Sequence, residues 1–299
     1  MSFLKNIGDR ISARLRGRPG VDIIVPIFGA LEETQRCIES VLKHASGDWR
    51  LLLVDDASPG PDMRPLLSRL ARQDPRVSVH HATENRGFVA SANIGLQRAS
   101  RDGRDSLLLN SDTLVPRGFN QRLADTVYTD STTGIATPFT NNGTICSIPE
   151  FMQDNPLPPG LTPDSFDALV QAASLQARPE LVTAVGFCMY LRATTIDAVG
   201  FFDEENFGTG YGEENDFCER AKSAGWKIRL CDDLFVFHAG SISFGDSAVA
   251  QRESHNQKIG EMYPHYHRDV QSFIRNNPLA DLHARIRQKI DAVRPPAPD

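Results

Sequence analysis

Short apolar runs alternate with amphipathic stretches through the first half of the chain. VDIIVPI (21–27), RLLLVD (50–55), 77–81, SLLLN (106–110) and 134–137 are the runs. Their length and continuity predict strands buried on both faces. Between them, residues 32–44, 63–73, 89–98 and 119–128 repeat apolar positions at helical spacing. Strand and helix in alternation predict a mostly parallel, Rossmann-like α/β sheet with helices on both faces. In such sheets ligands bind at the carboxyl ends of the strands. Pro26 and Phe28, Asp55 and Asp56, and Asn110 and Asp112 occupy those ends.

The rhythm breaks in the middle. Residues 138–180 read as a long loop, PFTNNGTICSIPEF, followed by one helix within NPLPPGLTPDSFDALVQAASLQ. Loops of this length in a compact domain are functional or disordered. A strand at 182–191 (VTAVGFCMYL), a helix near 194–199 and a strand at 226–230 restore the order, and the remainder after DDLFVFHAGSISFG is helical in pattern.

The stretch GYGEENDFCERAKSAGW at 210–226 crowds Glu213, Glu214 and Asp216 behind two glycines. Like charges that close raise one another's proton affinity. One explanation is a helix start, where acids suit the macrodipole and Asp216 pairs with Arg220, with Gly225 as the stop. Three further stretches carry candidate chemistry. Asp55-Asp56-Ala57-Ser58 is both a turn and a pair of acceptor-only carboxylates suited to a base or ribose. Asn85-Arg86-Gly87 and Asn93 bracket a glycine-led helix start that suits either phosphate approach or close packing on the sheet. Asn110-Ser111-Asp112 ends a strand with two oxygen donors on one side, suited to Mg²⁺ or Mn²⁺ or to an Asx turn. His238 follows an apolar strand and is either structural or a metal ligand. His80, His81, His255, His265 and His267 read as surface or structural histidines.

Composition narrows the classes. The net charge of -6 argues against nucleic-acid binding. Five cysteines, widely spaced and without a C-x-x-C pair, suggest neither a disulfide framework nor a zinc site, and fit a reducing cytoplasm. No apolar run reaches the roughly 20 residues that span a bilayer. Residues 1–19 carry Phe3, Leu4, Ile7, Ile11 and Leu15 at helical spacing among Lys5, Arg10, Arg14, Arg16 and Arg18. Such a segment suits peripheral contact at the inner face of the membrane, or packing on its own domain. The closing VRPPAPD reads as a disordered tail.

In this order, VDIIVPIFGALEETQRCIESVL, LLLVDDASPG, ENRGFVASANIGL, LLLNSDTLVP, VGFCMYLRATTIDAVGFFDE, GYGEENDFCERAKSAGWKI and FHAGSISF resemble the family 2 glycosyltransferases of GT-A fold, over roughly 22–245. The resemblance implies an inverting transferase that moves a sugar from a nucleotide-diphosphate donor, dTDP- or UDP-linked, to a hydroxyl of a glycan, lipid-linked or protein-linked acceptor. Its relatives of rhamnosyltransferase type act in bacterial surface polysaccharide synthesis. It further implies that Pro26, Phe28, Asp55 and Asp56 hold the nucleoside, and that Asn85, Arg86, Gly87, Asn93 and Asn110 line the nucleotide side. Asp112 and His238 would hold Mn²⁺ or Mg²⁺, and Glu214 would be the base, with Glu213 and Asp216 in reserve. Asn110 departs from the usual acid of the metal motif, which weakens metal binding without nucleotide. Domain bounds follow: an amphipathic segment at 1–19, a GT-A domain at 20–245 with its nucleotide half at 20–137 and acceptor half at 138–245, and a helical extension at 246–299. Acceptor choice is expected in loop 139–163, separable from nucleotide affinity. Two alternatives are a nucleotide-binding module without activity, which would need neither the acid cluster nor His238, and a nucleotidyltransferase, which would need a glycine-rich basic loop that residues 21–31 lack.

Overall fold

The computed structural model describes residues 18–208, 210–240 and 247–293. Strand β1 (Val21–Ile27) is flanked by β2 (Trp49–Asp55) and β4 (Asp105–Leu109), both parallel to it, and β3 (Val77–His81) is parallel to β2. Beyond β4 come β7 (Cys188–Leu191), β6 (Thr133–Phe139) and β8 (Lys227–Phe235), giving the order β3-β2-β1-β4-β7-β6-β8. Only β7 runs antiparallel to its neighbours. A second, two-stranded sheet pairs β5 (Thr113–Leu114) with β9 (Phe237–His238).

Successive residues of a strand face opposite sides, so β1 serves two cores. Ile23 and Val25 pack with Ile38 and Val41 of α1 (Leu31–His44) and Leu67 of α2 (Met63–Gln73). Ile24 packs with Val89 and Leu96 of α3 (Phe88–Arg101). Gly95 makes that approach possible: a Cβ there would sit 2.4 Å from Ile24 Cγ2. The helix α4 (Phe119–Val127) closes the first face. On the second lie α5 (Pro163–Ala173), α6 (Ala193–Val199), the single turn α7 (Glu204–Phe207) and α8 (Glu213–Ser223). The chain continues through α9 (Ser247–Met262), α10 (Tyr266–Asn276) and α11 (Ala280–Val293), and Leu282, Ile286 and Ile290 of α11 join the core on that second face.

The α/β architecture, with helices on both faces and C-terminal helices, matches the sequence expectation. One strand shrinks: the run expected at 182–191 is a strand only over Cys188–Leu191. Residues 182–187 leave the sheet because Thr183 donates to Asn215 and the amide of Ala184 donates to Cys218 Sγ, both on α8. The amphipathic pattern up to residue 17 and the closing tail lie outside the described residues.

His283 on α11 is buried between Phe139 and Phe151, ring centroids 5.9 and 5.4 Å away, and its Nε2 has no hydrogen-bond partner. Burial, with a smaller push from the Arg287 charge, takes its pKa from 6.5 down to about 4. The unfolded chain takes the proton more readily, so stability is full above 6.5 and falls as pH drops from 6.5 towards 4. The loss expected at complete protonation is about 3 kcal/mol. Denaturant unfolding at pH 7 and pH 4 measures it, and His283→Phe should flatten that part of the pH dependence.

Candidate active site

The strand ends meet as the sequence suggests, but the side chains divide into those that face a ligand and those that hold the frame. At the end of β2, Asp55 is buried and accepts from the amide of Ser58 at 3.0 Å and from His81 Nδ1 at 2.9 Å. Burial pushes the Asp55 carboxyl up, but His81 and Ser58 outweigh it and hold it below the usual range. Asp56 accepts from the amides of Arg86 at 2.9 Å and Gly87 at 2.8 Å, so it ties the start of α3 to the end of β2. Asn85 supports the same turn through the amide of Gly87. Gly87 sits at φ 91°, a conformation that favours glycine. Pro26 is buried within β1, whereas Phe28, just beyond it, is 43% exposed and free to stack on a ring. The Arg86 guanidinium reaches Glu204 from an exposed position at 3.3 Å.

Asn93 takes a different part from the one expected. It is buried, donates to Phe202 O at 2.9 Å and Glu204 Oε1 at 2.8 Å, and accepts from the amide of Phe202 at 3.0 Å. Its whole amide is committed to anchoring residues 202–204 on α3, which corrects the reading of it as a ligand contact.

Beyond β4, the pairing of β5 with β9 sets Thr113 opposite His238 and brings Asp112 Oδ1 within 3.3 Å of His238 Nε2. Asn110 Nδ2 lies 3.4 Å from the same nitrogen, while the Asn110 amide donates to Phe187 O. His238 Nδ1 faces Asn142 O at 3.0 Å, and Asn141 bonds both the amide and the carbonyl of His238. Donation from Nδ1 to a carbonyl leaves Nε2 as the variable nitrogen, proton-bearing or metal-binding. Burial lowers the proton affinity of His238, but Asp112 and the Asn142 carbonyl outweigh it and leave its pKa above the usual value. Asp112 thus favours a proton on Nε2, which a cation bound there would replace.

The donor set suits a divalent ion in part. The Nε2 to Oδ1 spacing of 3.3 Å is close to the edge of an octahedron with bonds of about 2.2 Å. Among the described residues no group of three or more His, Cys, Asp or Glu could hold a metal. Two protein donors leave positions that a diphosphate can fill.

The third group is the acidic helix. Gly210, Tyr211 and Gly212 all adopt positive φ, at 106°, 69° and 100°. His255 Nδ1, on α9, lies 2.8 Å from Gly210 O and 2.7 Å from Tyr211 O and pins this turn. Glu213 is 5% exposed, and its Oε2 has no partner. Burial and the neighbouring Glu214 charge push the Glu213 carboxyl well up. Glu214 is half-buried and accepts from the amide of Gly212 at 3.2 Å and from Asn215 Nδ2 at 3.1 Å. Burial raises its pKa as well, with those donors pulling it back. Asn215 is itself oriented: Thr183 Oγ1 at 3.0 Å and Tyr266 OH at 2.6 Å both donate to its Oδ1, which turns its N–H towards Glu214.

Asp216 is removed as a reserve base. Arg220 binds its Oδ2 through Nε at 2.8 Å and Nη2 at 2.6 Å, and Tyr263 OH binds its Oδ1 at 2.7 Å. A carboxylate so fully paired is structural, as the pairing with Arg220 suggested. Residues 186 and 187 connect Glu214 to the Asp112–His238 pair. A Cβ on Gly186 would stand 3.5 Å from Glu214 Cβ, and the Phe187 ring stacks on His238 with centroids 5.3 Å apart.

Several site residues were missed from sequence: His81, Asn141, Asn142, Phe187 and Asn215. The NNGT stretch was the visible signal for two of them. Because Asn141 and Asn142 hold His238, loop 139–163 is not separable from the nucleotide half. A swap of the whole loop would disturb the Asp112–His238 pair.

Residues 22–145 match the family described as Glycosyl transferase family 2. The O-antigen biosynthesis protein RfbC of Myxococcus xanthus is 34% identical over 35% of this chain and 8% of its own length. Among solved structures, a GalNAc-T7 complex with UDP, GalNAc and Mn²⁺ aligns over 83% of this chain and 50% of that one, with TM-score 0.61 and 14% identity. A mannosyltransferase from Pyrobaculum calidifontis, with GDP-Man and Mn²⁺, aligns over 96% and 83%, with TM-score 0.58 and 16% identity. The chain thus spans less than a tenth of the curated relative's length, and it carries a family 2 glycosyltransferase domain in a GT-A fold.

Proposed function

We propose that this protein is an inverting glycosyltransferase that moves a sugar from a nucleotide-diphosphate donor to a hydroxyl of a glycan or glycoconjugate acceptor. The observation that carries the reading is the placement of Glu214, oriented by Asn215 and of raised proton affinity, across residues 186–187 from the Asp112–His238 pair. A carboxylate there takes the acceptor hydroxyl proton as the oxygen attacks the anomeric carbon. The new bond forms opposite the breaking bond to the diphosphate, so the configuration inverts. Phe28 and the turn held by Asp56 seat the nucleoside, and Asp112 with His238 would hold Mn²⁺ or Mg²⁺. That ion supplies counter-charge to the departing diphosphate. An imidazole donor favours Mn²⁺ of the two.

The acceptor class follows from chemistry and relatives together. RfbC is named for O-antigen biosynthesis, which supports a role in surface polysaccharide assembly. All five cysteines are free and buried, which supports a reducing cytoplasm. Among the described residues no helix is long and apolar enough to cross a membrane.

Incubating the protein with UDP-, dTDP- and GDP-sugars, with and without Mn²⁺, and following nucleotide release tests the reading. Turnover of one donor that depends on the metal is expected. Nucleotide binding without turnover of any donor would leave a binding module in its place.

A further inference from the structure

In the strand order, β3 and β4 are separated by β2 and β1, so their ends lie three strand spacings apart, about 14 Å. Asp112 and His238 stand beyond β4, and His81 ends β3. A nucleoside diphosphate laid across the strand ends with its phosphates at Asp112 brings its base to the region of β2 and β3. There a cleft of about 220 Å³ is lined by Asp56, His81, Arg86, Ala90, Ser91 and Ile94. This placement rests on the nucleotide-sugar reading of the site.

The carboxylates at that end have their oxygens engaged within the protein. Asp55 serves Ser58 and His81, and Asp56 serves Arg86 and Gly87. His80, Thr83, Glu84, Arg86 and Ser91 also bring polar side chains to the cleft, and among them the His81 imidazole, 28% exposed, is the one held by the buried Asp55 carboxylate. A neutral imidazole has one donor and one acceptor nitrogen. Donation of Nδ1–H to the buried Asp55 fixes the tautomer and makes Nε2 a strengthened acceptor. Among the described residues Nε2 has no protein partner.

We infer that His81 is the base-reading residue of this site, its Nε2 accepting a hydrogen bond from a ring N–H and so selecting uracil, thymine or guanine over cytosine. Uracil and thymine carry N3–H and guanine N1–H at the middle of the pairing edge. Cytosine has a lone pair at that position, which would face the lone pair of Nε2. A polar site rejects a ligand that leaves its groups unpaired more strongly than an apolar site rejects a change of size.

Titration of UDP, dTDP, GDP and CDP in the presence of Mn²⁺, against wild type, His81→Ala and His81→Phe, tests the inference. The phenylalanine variant keeps the ring volume and removes the acceptor. Wild type should bind the best of the first three at least about tenfold more tightly than CDP. Both variants should reduce that preference to within about threefold, with the loss falling on the ring N–H nucleotides. Equal or better binding of CDP by wild type overturns the inference, as does a preference that survives in both variants, while the nucleotide site itself stands. Failure of wild type to bind any of the four overturns the inference and the nucleotide-sugar reading together.

Discussion

Glu214→Gln is expected to lower kcat by about 10²- to 10⁴-fold, the range a positioned general base contributes. The donor KM should change little, because Glu214 lies on the far side of residues 186–187 from the groups that would hold the nucleotide. Glutamine keeps the shape and can still meet Asn215, so loss of activity with an unchanged melting temperature separates chemistry from folding. In wild type, kcat should rise with pH through a limb above the usual glutamate value of about 4.3, because only the ionised carboxylate accepts the proton. The direction is set by burial, which raises the Glu214 pKa, and the Gly212 and Asn215 donors moderate it. Asn215 holds this balance through Tyr266 on α10. The C-terminal helices therefore reach Glu214 as well as cover the core. A pH profile of kcat for wild type, with single-pH kinetics for the variant, checks both statements. An acid limb at the ordinary glutamate value, or a Gln variant with near wild-type kcat, would remove Glu214 from this role.

Periodicity made the sheet legible because strands buried on both faces write continuous apolar runs, as in 21–27 and 50–55. The same reasoning overextended at 182–191: an apolar run does not reveal that Thr183 and Ala184 are bound to α8 rather than to a neighbouring strand. Site residues divided in a similar way. Asp112, His238 and Glu214 stand out in the sequence because their types and positions suit a chemistry at strand and helix ends. The partners of Asn93 and His81, and the Tyr263 contact of Asp216, are not legible there, since a side chain's partner depends on contacts remote in sequence. Asn93 meets Phe202, Asp216 meets Tyr263, and His81 meets Asp55. Sequence showed which groups were present and left open which of them were already satisfied. That distinction decides function here, because a carboxylate with full partners, such as Asp216, holds structure, while Glu213 and Glu214 keep raised proton affinity.

Asp112→Ala should abolish the part of nucleoside-diphosphate binding that depends on Mn²⁺ while leaving the fold intact. The carboxylate sits on the turn just before the short strand β5, 12% exposed and facing His238. Its removal costs the cation its charged donor and leaves a single imidazole. Asn110, an amide, contributes no charge in compensation. Because stabilisation by a ligand follows occupancy of the folded state, Mn²⁺ with the preferred nucleotide should raise the wild-type melting temperature. At a ligand concentration about 100 times Kd, the stabilisation is about 2.7 kcal/mol. In Asp112→Ala, adding Mn²⁺ to the nucleotide should produce no further shift. Mn²⁺ alone should move the wild type little, since two protein donors without a diphosphate leave most of the coordination sphere to water. A variant that keeps the metal-dependent shift would place the cation elsewhere and return the Asp112–His238 contact to a structural ion pair.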